Sequence, residues 1–381
     1  MTTFIVRLDS PALPAGQSGP AIKVAIKDLI DMVGLPTTAG CRAVANRATP
    51  ATADAACLTG IRAAETAGEV IIVGKTNLHE LAAGATGINP WYGTPLNPLD
   101  AALVPGGSSS GSAVAVADGE ADVALGSDTG GSVRIPSACC GTAGLKTTFD
   151  RVPVAGVWPL SPSLDTVGPM ARDVAGLITG MELLEPGFAV SGEVPARVGR
   201  FRPEANPVID TAIDRLLATA DLHVSEVDLD GWSTAADAFV SMFLREVWEV
   251  DGHLLEIDPE GLTDELRAYL LPAGKEITEQ QVVQARSVQA AWQSEWASLF
   301  AYVDVVALPT LNDFPPPIET AETTTLAQLT APINVAGLPV LVLPVPTSGP
   351  LPASVQLVGA PGSEEQLLAL GRRVEAAAAT L

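Results

Sequence analysis

Short apolar runs recur along this chain, and most stretches between them have the spacing of helices. An alanine-rich helix is predicted over residues 53–67, with Thr52 or Asp54 as its N-cap. Because strands and helices alternate, the pattern favours one mixed α/β domain. The predicted strands cover residues 21–26, 70–74, 122–126, 303–309, 339–344 and 353–358, and further helices cover 110–117, 133–140 and 363–379.

Helical patterns dominate the middle of the chain. Residues 208–303 contain amphipathic stretches at 243–255 and 280–302, but no chemical motif. A segment rich in proline and threonine, 312–325, is predicted to be a long loop. Neither an internal repeat nor a break in composition marks a boundary, so we expect a single domain over residues 1–381.

The composition excludes some partners and supplies a large core. Hydrophobic residues make up 47% of the chain, and 44 acidic against 21 basic side chains give a formal net charge of −23. Such a charge repels phosphate groups, so neither nucleic acid nor an anionic membrane is expected as a partner. No signal peptide is evident, and the longest apolar stretches are too short to cross a membrane, which predicts a cytoplasmic protein.

The cysteines predict neither a metal site nor a disulfide framework. Cys41, Cys57, Cys139 and Cys140 lack the paired spacing of a zinc site and are too few for a disulfide scaffold. Cys139 and Cys140 are adjacent and are not expected to bridge each other. All four are predicted to be small core residues.

Two short blocks rich in glycine and serine carry the candidate chemistry. They are residues 106–112, GGSSSGS, and residues 126–132, GSDTGGS. Glycine-rich turns let backbone N–H groups converge on one point, and a serine in such a turn is both exposed and surrounded by donors. Acyl transfer at a serine needs these features, although each block alone is also typical of a flexible or phosphate-binding loop.

A lysine that could act as a base stands at the end of the first predicted strand. Lys27 follows three apolar residues and precedes Asp28. A buried lysine can lose its proton near neutral pH, whereas arginine stays charged, so this position suits a general base. The alternative is a structural ion pair at the strand end.

Histidine is scarce, which limits the mechanisms open to a serine nucleophile. Only His79, His223 and His253 are present, and His79, on a predicted helix, is the one that could serve a Ser-His-Asp triad. The G-x-S-x-G elbow is absent around Ser108 and Ser132. A serine–lysine mechanism is better supported.

The serine blocks resemble the motif of the amidase signature family, the serine amidohydrolases that use a Ser-cisSer-Lys triad. The resemblance implies an α/β/α domain with a mixed central β-sheet covered by helices, with the signature core at about residues 70–170 and a helical, substrate-side region at about 205–302. The resembling segments cover residues 25–28, 34–40, 74–80, 106–112, 126–136, 141–146, 163–169 and 331–339.

Site residues follow from this resemblance one by one. Ser132 is implied to be the nucleophile, Ser108 the bridging serine in a cis peptide, and Lys27 the base. Every role is then filled by side chains and backbone, so neither a metal nor an organic cofactor is implied. The implied oxyanion hole consists of the backbone N–H groups of Thr129, Gly130, Gly131 and Ser132.

Departures from the family's usual pattern leave the triad intact. Ser110, Thr147 and Cys139 stand where a glycine, a proline and an aromatic residue are common. Only 26 residues precede Lys27, which puts in doubt any oligomer contact that the family builds from that part of its chain. The oligomeric state is therefore open, with a homodimer as one option.

The resemblance implies hydrolysis of a carboxamide to a carboxylate and ammonia or an amine, with a small-molecule amide as the partner. Three alternatives stay open: a carbamoyl- or urea-type amide hydrolase, the amidase subunit of a tRNA-dependent amidotransferase, and an inert binding protein. The net charge and the short segment before Lys27 disfavour the amidotransferase. Retention of all three triad residue types disfavours the inert protein.

Two finer expectations concern the surroundings of the triad. The acyl pocket is expected between the helical region and residues 158–163, and Trp91, Trp158 and Pro159 hint at an aromatic lining, with ordinary packing as the alternative. Arg134 is expected to pair with Asp128, either to hold the second serine block or as a generic surface ion pair.

Overall fold

The computed structural model describes residues 3–8, 21–190, 192, 194 and 197–381. Its strands are β1 (Phe4–Arg7), β2 (Ile22–Lys27), β3 (Val70–Thr76), β4 (Val123–Ser127), β5 (Ala143–Lys146), β6 (Val167–Ala171), β7 (Arg197–Arg200), β8 (His223–Glu226), β9 (Val305–Pro309), β10 (Val340–Val345) and β11 (Ala353–Gly359). Within the described residues they form one eleven-stranded sheet in the order β1-β3-β2-β4-β6-β5-β10-β11-β9-β7-β8.

Helices connect most of these strands. None of those in the described ranges combines the length and the hydropathy needed to span a bilayer. A π-helical segment, Glu265–Leu270, stands directly before α9. The α-helices are α1 (Arg42–Ala45), α2 (Thr59–Thr66), α3 (Ser110–Ala117), α4 (Arg134–Cys140), α5 (Val174–Leu184), α6 (Pro207–Thr219), α7 (Trp232–Asp251), α8 (Leu254–Ile257), α9 (Leu271–Glu276), α10 (Glu279–Leu299), α11 (Thr323–Leu326), α12 (Ala331–Ala336) and α13 (Glu364–Ala378).

The sheet is mixed, and its parallel parts lie towards its two ends. Strands β3, β2 and β4 are parallel neighbours, and so are β9, β7 and β8. The strands from β4 through β6, β5, β10 and β11 to β9 pair antiparallel. Since parallel neighbours end at the same edge, the carboxyl ends of β2 and β4 lie side by side.

Helices cover both faces of the sheet. Alternate residues of β10 point to opposite faces. Leu341 and Leu343 belong to the large core cluster on the side of α5 and α13, whereas Val340 and Val342 pack in a second cluster with Trp292 of α10. The chain is therefore a single α/β domain in three layers, and the predicted fold class is confirmed.

Most predicted elements are confirmed. All six predicted strands are present with ends shifted by at most two residues, and the helix predicted over residues 110–117 has the same ends as α3. The four cysteines are buried and free, as expected of core residues. Long, purely apolar runs are the strongest local signal, which is why these elements were found.

The helix predicted over residues 53–67 is wrong at its start. A 3-10 turn, Ala56–Leu58, comes first, and α2 begins only at Thr59 without a side-chain cap. Asp54 does not cap a helix, because its carboxylate instead accepts from the N–H of Val33 at 2.9 Å and from Arg62 at 2.8 Å. Tertiary partners outcompete the local cap here.

Other segments also differ from the sequence prediction, and the strands β1, β5, β6 and β7 lie outside all predicted elements. Strand β8 lies inside the region predicted to be helical, because its backbone pairs with β7 at the sheet edge while all four of its residues are exposed. An exposed edge strand has no apolar pattern to reveal it. The predicted loop over residues 312–325 contains a short turn, Ile318–Thr320, and the start of α11.

Candidate active site

Four residues that could share one reaction lie at the ends of neighbouring elements. Lys27 is the last residue of β2 and Ser127 the last of β4, so both lie at the same edge of the sheet. Ser108 and Ser132 lie just before α3 and α4. The two serine blocks are joined where the N–H of Ser109 donates to the carbonyl oxygen of Ser132 at 3.2 Å.

Lys27 has the environment of a base. Its Nζ lies 2.6 Å from Ser108 Oγ and 2.8 Å from Ser127 Oγ, and the side chain is fully buried. Burial lowers the pKa of Lys27 to about 7, against the smaller, opposing effects of the Asp128 and Asp165 carboxylates. A large share of the amine is therefore neutral at physiological pH, and its lone pair can take a proton from a hydroxyl.

Backbone hydrogen bonds hold Ser108 and the residues after it in the first serine block. The peptide bond between Gly107 and Ser108 is cis, as the resemblance implies. The carbonyl oxygen of Ser108 accepts from the N–H of His79 at 3.0 Å, and the N–H of Gly111 donates to Asn77 at 2.9 Å. The block is thus fastened to the segment that follows β3.

The turn between β4 and α4 presents free backbone donors. Within the described residues, the backbone N–H groups of residues 129–132 donate no hydrogen bond. Gly131 has a φ of 134°, which favours glycine, and a Cβ there would lie 2.3 Å from Thr330 Oγ1. The Thr330 hydroxyl donates to the carbonyl oxygen of Gly130 at 2.6 Å and so fixes the turn.

A buried ion pair between Arg134 and Asp128 stabilises this turn. Arg134 donates to Asp128 from Nε and Nη2, both at 2.9 Å, and both side chains are fully buried. Asn334 donates to the same carboxylate at 2.9 Å, and Arg134 also contacts Gln356 Oε1 at 2.8 Å. The pKa of Asp128 is held below its ordinary value by Arg134, although burial opposes this effect. The expected pair is confirmed, and it is a core pair and not a surface one.

We expect Arg134→Met to lower the free energy of unfolding by about 3–5 kcal/mol, because it leaves the Asp128 carboxylate buried and unpaired. Denaturant unfolding measures this loss. Since the folded-state pKa of Asp128 is depressed, the difference from the parent protein should be full above about pH 4 and shrink as the pH falls below it.

The control for this prediction is an exposed ion pair. Arg7 contacts Glu120 at 2.5 Å, and 61% of the Arg7 side chain is exposed. Arg7→Met should therefore change the free energy of unfolding by less than about 1 kcal/mol. If Arg134→Met lowered the free energy of unfolding by as little as Arg7→Met, the result would contradict the structural importance of the buried pair.

Further contacts join the turn to the segment after residue 158. Thr129 Oγ1 donates to Asp165 Oδ1 at 2.6 Å. The N–H of Leu160 donates to the other oxygen of that carboxylate at 2.9 Å. Burial raises the pKa of Asp165. The turn is thus tied to the segment that carries Leu160.

A cavity of about 480 Å³ opens beside Ser132, Thr129 and Gly130. The helical region and the segment around residue 160 contribute to it, as expected. The aromatic hint is wrong in its residues, because Trp91, Trp158 and Pro159 are not among the described residues that line the cavity. Trp91 donates to Glu80 and Trp158 to Asp251. Among the residues that line the cavity are Ile135, Leu160, Phe239, Phe243, Leu244 and Tyr269.

His79 does not complete a triad. It lies between β3 and a 3-10 turn, Glu80–Ala82, and not on a helix, because the backbone bends at this point. Its Nε2 is 3.5 Å from Glu265 and its Nδ1 is 3.3 Å from the hydroxyl of Thr86. The geometry at the site is therefore that of a lysine and serines.

Comparison with known proteins agrees with this geometry. The family model described as amidase matches residues 20–186 and 194–368. The chain belongs to the amidase family. As an amidase-family member it is an amidohydrolase that acts on carbon–nitrogen bonds.

Similar proteins of the amidase family cover nearly the whole chain. One subunit of the glutamyl-tRNA(Gln) amidotransferase from Halobacterium salinarum is 32% identical, over 92% of this chain and 94% of its own. AtzE, which is part of the 1-carboxybiuret hydrolase of Pseudomonas sp. strain ADP, is 30% identical, over 91% of this chain and 82% of its own. A crystal structure of an amidase superposes with a TM-score of 0.85 at 32% identity, over 93% of this chain and 84% of that one.

Three contacts of this amidase were not predicted from the sequence. Ser127 is the second partner of Lys27, and Thr330 holds the turn. Asp28 pairs with Lys75 at 2.7 Å, so the predicted alternative of a pair between Lys27 and Asp28 is wrong. Ser127 lies inside the second serine block, which was the only sequence signal for its position.

Proposed function

We propose that this chain hydrolyses a carboxamide to a carboxylate and ammonia or an amine, through an acyl-enzyme on Ser132. The observation that supports this most strongly is the buried Lys27 amine, 2.6 Å from Ser108 Oγ and with a pKa of about 7. Neutral Lys27 takes the proton of Ser108 while Ser108 takes that of Ser132, whose Oγ attacks the carbonyl carbon. Ser127, which also contacts the amine, positions it.

The turn beside Ser132 completes the proposed mechanism. The free N–H groups of Thr129, Gly130, Gly131 and Ser132 stabilise the oxyanion of the tetrahedral intermediate. The proton then passes from Lys27 through Ser108 to the leaving nitrogen, and the C–N bond breaks. Water, deprotonated through the same relay, attacks the acyl carbon, releases the carboxylate and restores Ser132. The proposal requires neither a metal nor an organic cofactor.

The names of the relatives suggest two other functions. One relative belongs to an amidotransferase and another to a 1-carboxybiuret hydrolase. A net charge of −23 opposes an approach to tRNA, so we favour hydrolysis of a small amide. A carbamoyl- or urea-type substrate is the second candidate. The cytoplasmic location and the homodimer stay predictions.

A covalent intermediate is the most direct test of this proposal. Hydroxylamine added during amide hydrolysis is expected to divert the acyl group into a hydroxamate, because it competes with water for the acyl-enzyme. A fluorophosphonate probe should label Ser132, as mapped by peptide mass spectrometry. Chelators should leave the rate unchanged.

The controls use variants at the two serine blocks. Ser132→Ala should take up no probe, whereas Ser110→Ala, in the first block, should be labelled as fast as the parent protein. A probe adduct on another residue would refute the assignment of the nucleophile. Loss of activity on exhaustive chelation, restored by a divalent ion, would instead support a metal-activated water.

A further inference from the structure

The cavity beside Ser132 is almost wholly apolar. Alanines, leucines and three aromatic rings, those of Phe239, Phe243 and Tyr269, make up most of its wall. Neither Lys, Arg nor His lines it in the part of the chain that the structure describes. The described wall of this cavity therefore contributes no cationic side chain.

Helix α7 places two phenyl rings where an acyl group would lie. Phe239 and Phe243 are stacked, with ring centroids 5.3 Å apart and an angle of 14° between the ring planes. A Cβ at Gly130 would lie 2.6 Å from Phe239 Cζ, so the first ring packs directly on the turn that carries the free N–H groups. A flat or branched apolar group attached to the reacting carbonyl would contact this ring.

Among the described residues that line the cavity, Glu265 is the one that carries a carboxylate. Glu265 lines the cavity beside Tyr269, and 47% of its side chain is exposed. His79, 3.5 Å away, holds the pKa of Glu265 below its ordinary value, so the carboxylate is ionised at neutral pH. Glu80 and Glu322 line a neighbouring cavity that shares Glu265. A second anion placed here would be both desolvated and repelled.

We propose that the substrates of this enzyme are neutral carboxamides whose acyl group is aryl or branched alkyl and packs against Phe239, and that carboxylate-bearing amides are excluded. This inference rests on the proposed function. It separates the chain from its relative named as 1-carboxybiuret hydrolase, whose substrate name includes a carboxyl group. The supporting features are the apolar wall and the negative charge of Glu265.

A matched pair of substrates tests the charge rule. 4-Methylbenzamide and 4-carbamoylbenzoate differ by a methyl group against a carboxylate at the same ring position. With the full-length protein at pH 8, kcat/KM for the neutral amide should exceed that for the anionic one at least 100-fold. A ratio below tenfold would overturn this inference while leaving amide hydrolysis at Ser132 intact. If the protein hydrolysed neither of these two amides nor any aliphatic amide, that result would overturn the proposed function itself.

Substitutions at the cavity test whether Glu265 causes the discrimination against carboxylate-bearing amides. Glu265→Gln should raise the ratio of kcat/KM for 4-carbamoylbenzoate to kcat/KM for 4-methylbenzamide at least threefold. Glu322→Gln is the control, because Glu322 lines the neighbouring cavity and not this one. An equal gain in both variants would show that only the general surface charge acts, and would overturn the role of Glu265.

The aromatic contact has its own readout. Phe239→Ala should lower kcat/KM for 4-methylbenzamide at least tenfold but that for acetamide, which has no ring, less than threefold. Phe239→Leu should recover part of the loss, which guards against a folding defect. Phe149→Ala, at a ring that is 40% exposed and lies outside this cavity, should change neither value. Equal losses on both amides in Phe239→Ala would overturn the contact.

Discussion

Ser132→Ala is expected to lower kcat for amide hydrolysis by about 10⁴-fold or more, since it removes the proposed nucleophile while the rest of the site stays in place. The free energy of unfolding should change by less than about 1 kcal/mol, because Ser132→Ala removes only one hydroxyl group from a buried turn residue. Initial rates with 4-methylbenzamide, together with denaturant unfolding, measure both effects.

Ser110→Ala is the matched control for this variant. Ser110 lies in the first serine block, and its hydroxyl is buried without a hydrogen-bond partner in the described part of the chain. Removing such a group should leave the free energy of unfolding unchanged or raise it by about 1 kcal/mol, with near-normal turnover. Turnover by Ser132→Ala within tenfold of that of Ser110→Ala would contradict the acyl-enzyme.

Lys27→Arg is expected to be as damaging as Lys27→Met, with kcat lowered by about 10³-fold or more in both. Arginine stays protonated in proteins and cannot take a proton from Ser108. In the parent protein, kcat/KM should rise with pH through an apparent pKa of about 7, because Lys27 must be neutral to act. The rising limb should vanish in both variants.

Lys146, a second buried lysine, provides a control for the Lys27 variants. It distinguishes the loss of a base from the loss of a buried amine. Burial also lowers the pKa of Lys146 to about 7, but within the described residues its Nζ donates only to backbone carbonyl oxygens, of Thr147 at 3.0 Å and of Leu338 at 2.9 Å. Lys146→Met leaves these two buried carbonyl oxygens without their donor, so it should lower the free energy of unfolding while kcat of the folded protein stays within tenfold. Near-normal turnover by Lys27→Arg would refute the proton relay.

Elements that depend on local pattern could be predicted from the sequence. Apolar runs located six of the strands, because burial on both faces of a sheet requires uninterrupted apolar residues. These strands are β2, β3, β4, β9, β10 and β11. The junction of β4 and α4 followed from the glycine-rich block, since a chain that turns sharply there leaves few alternatives to glycine. The contact between Lys27 and Ser108 agrees with the roles that the family resemblance implied.

Partners that are distant along the chain could not be predicted in this way. Thr330 reaches the carbonyl oxygen of Gly130 across 200 positions, and no local period records such a contact. The cavity beside Ser132 is lined in part from α7 and from the segment before α9, which follow Ser132 by more than a hundred positions. Neither Trp91 nor Trp158 is among the described residues that line it. Only packing of the helices onto the sheet decides which side chains meet there.

Asp28 shows, at a single residue, the difference between what the sequence determined and what the tertiary structure decided. The sequence by itself determined that a lysine and an acid follow a buried strand, that two glycine-rich turns carry serines, and that the domain is α/β. Only the tertiary structure decided that Asp28 pairs with Lys75 of the neighbouring strand, which leaves the Lys27 amine to Ser108 and Ser127. The physical reason is that successive side chains of an extended chain point in opposite directions, so neighbours in sequence find different partners in space.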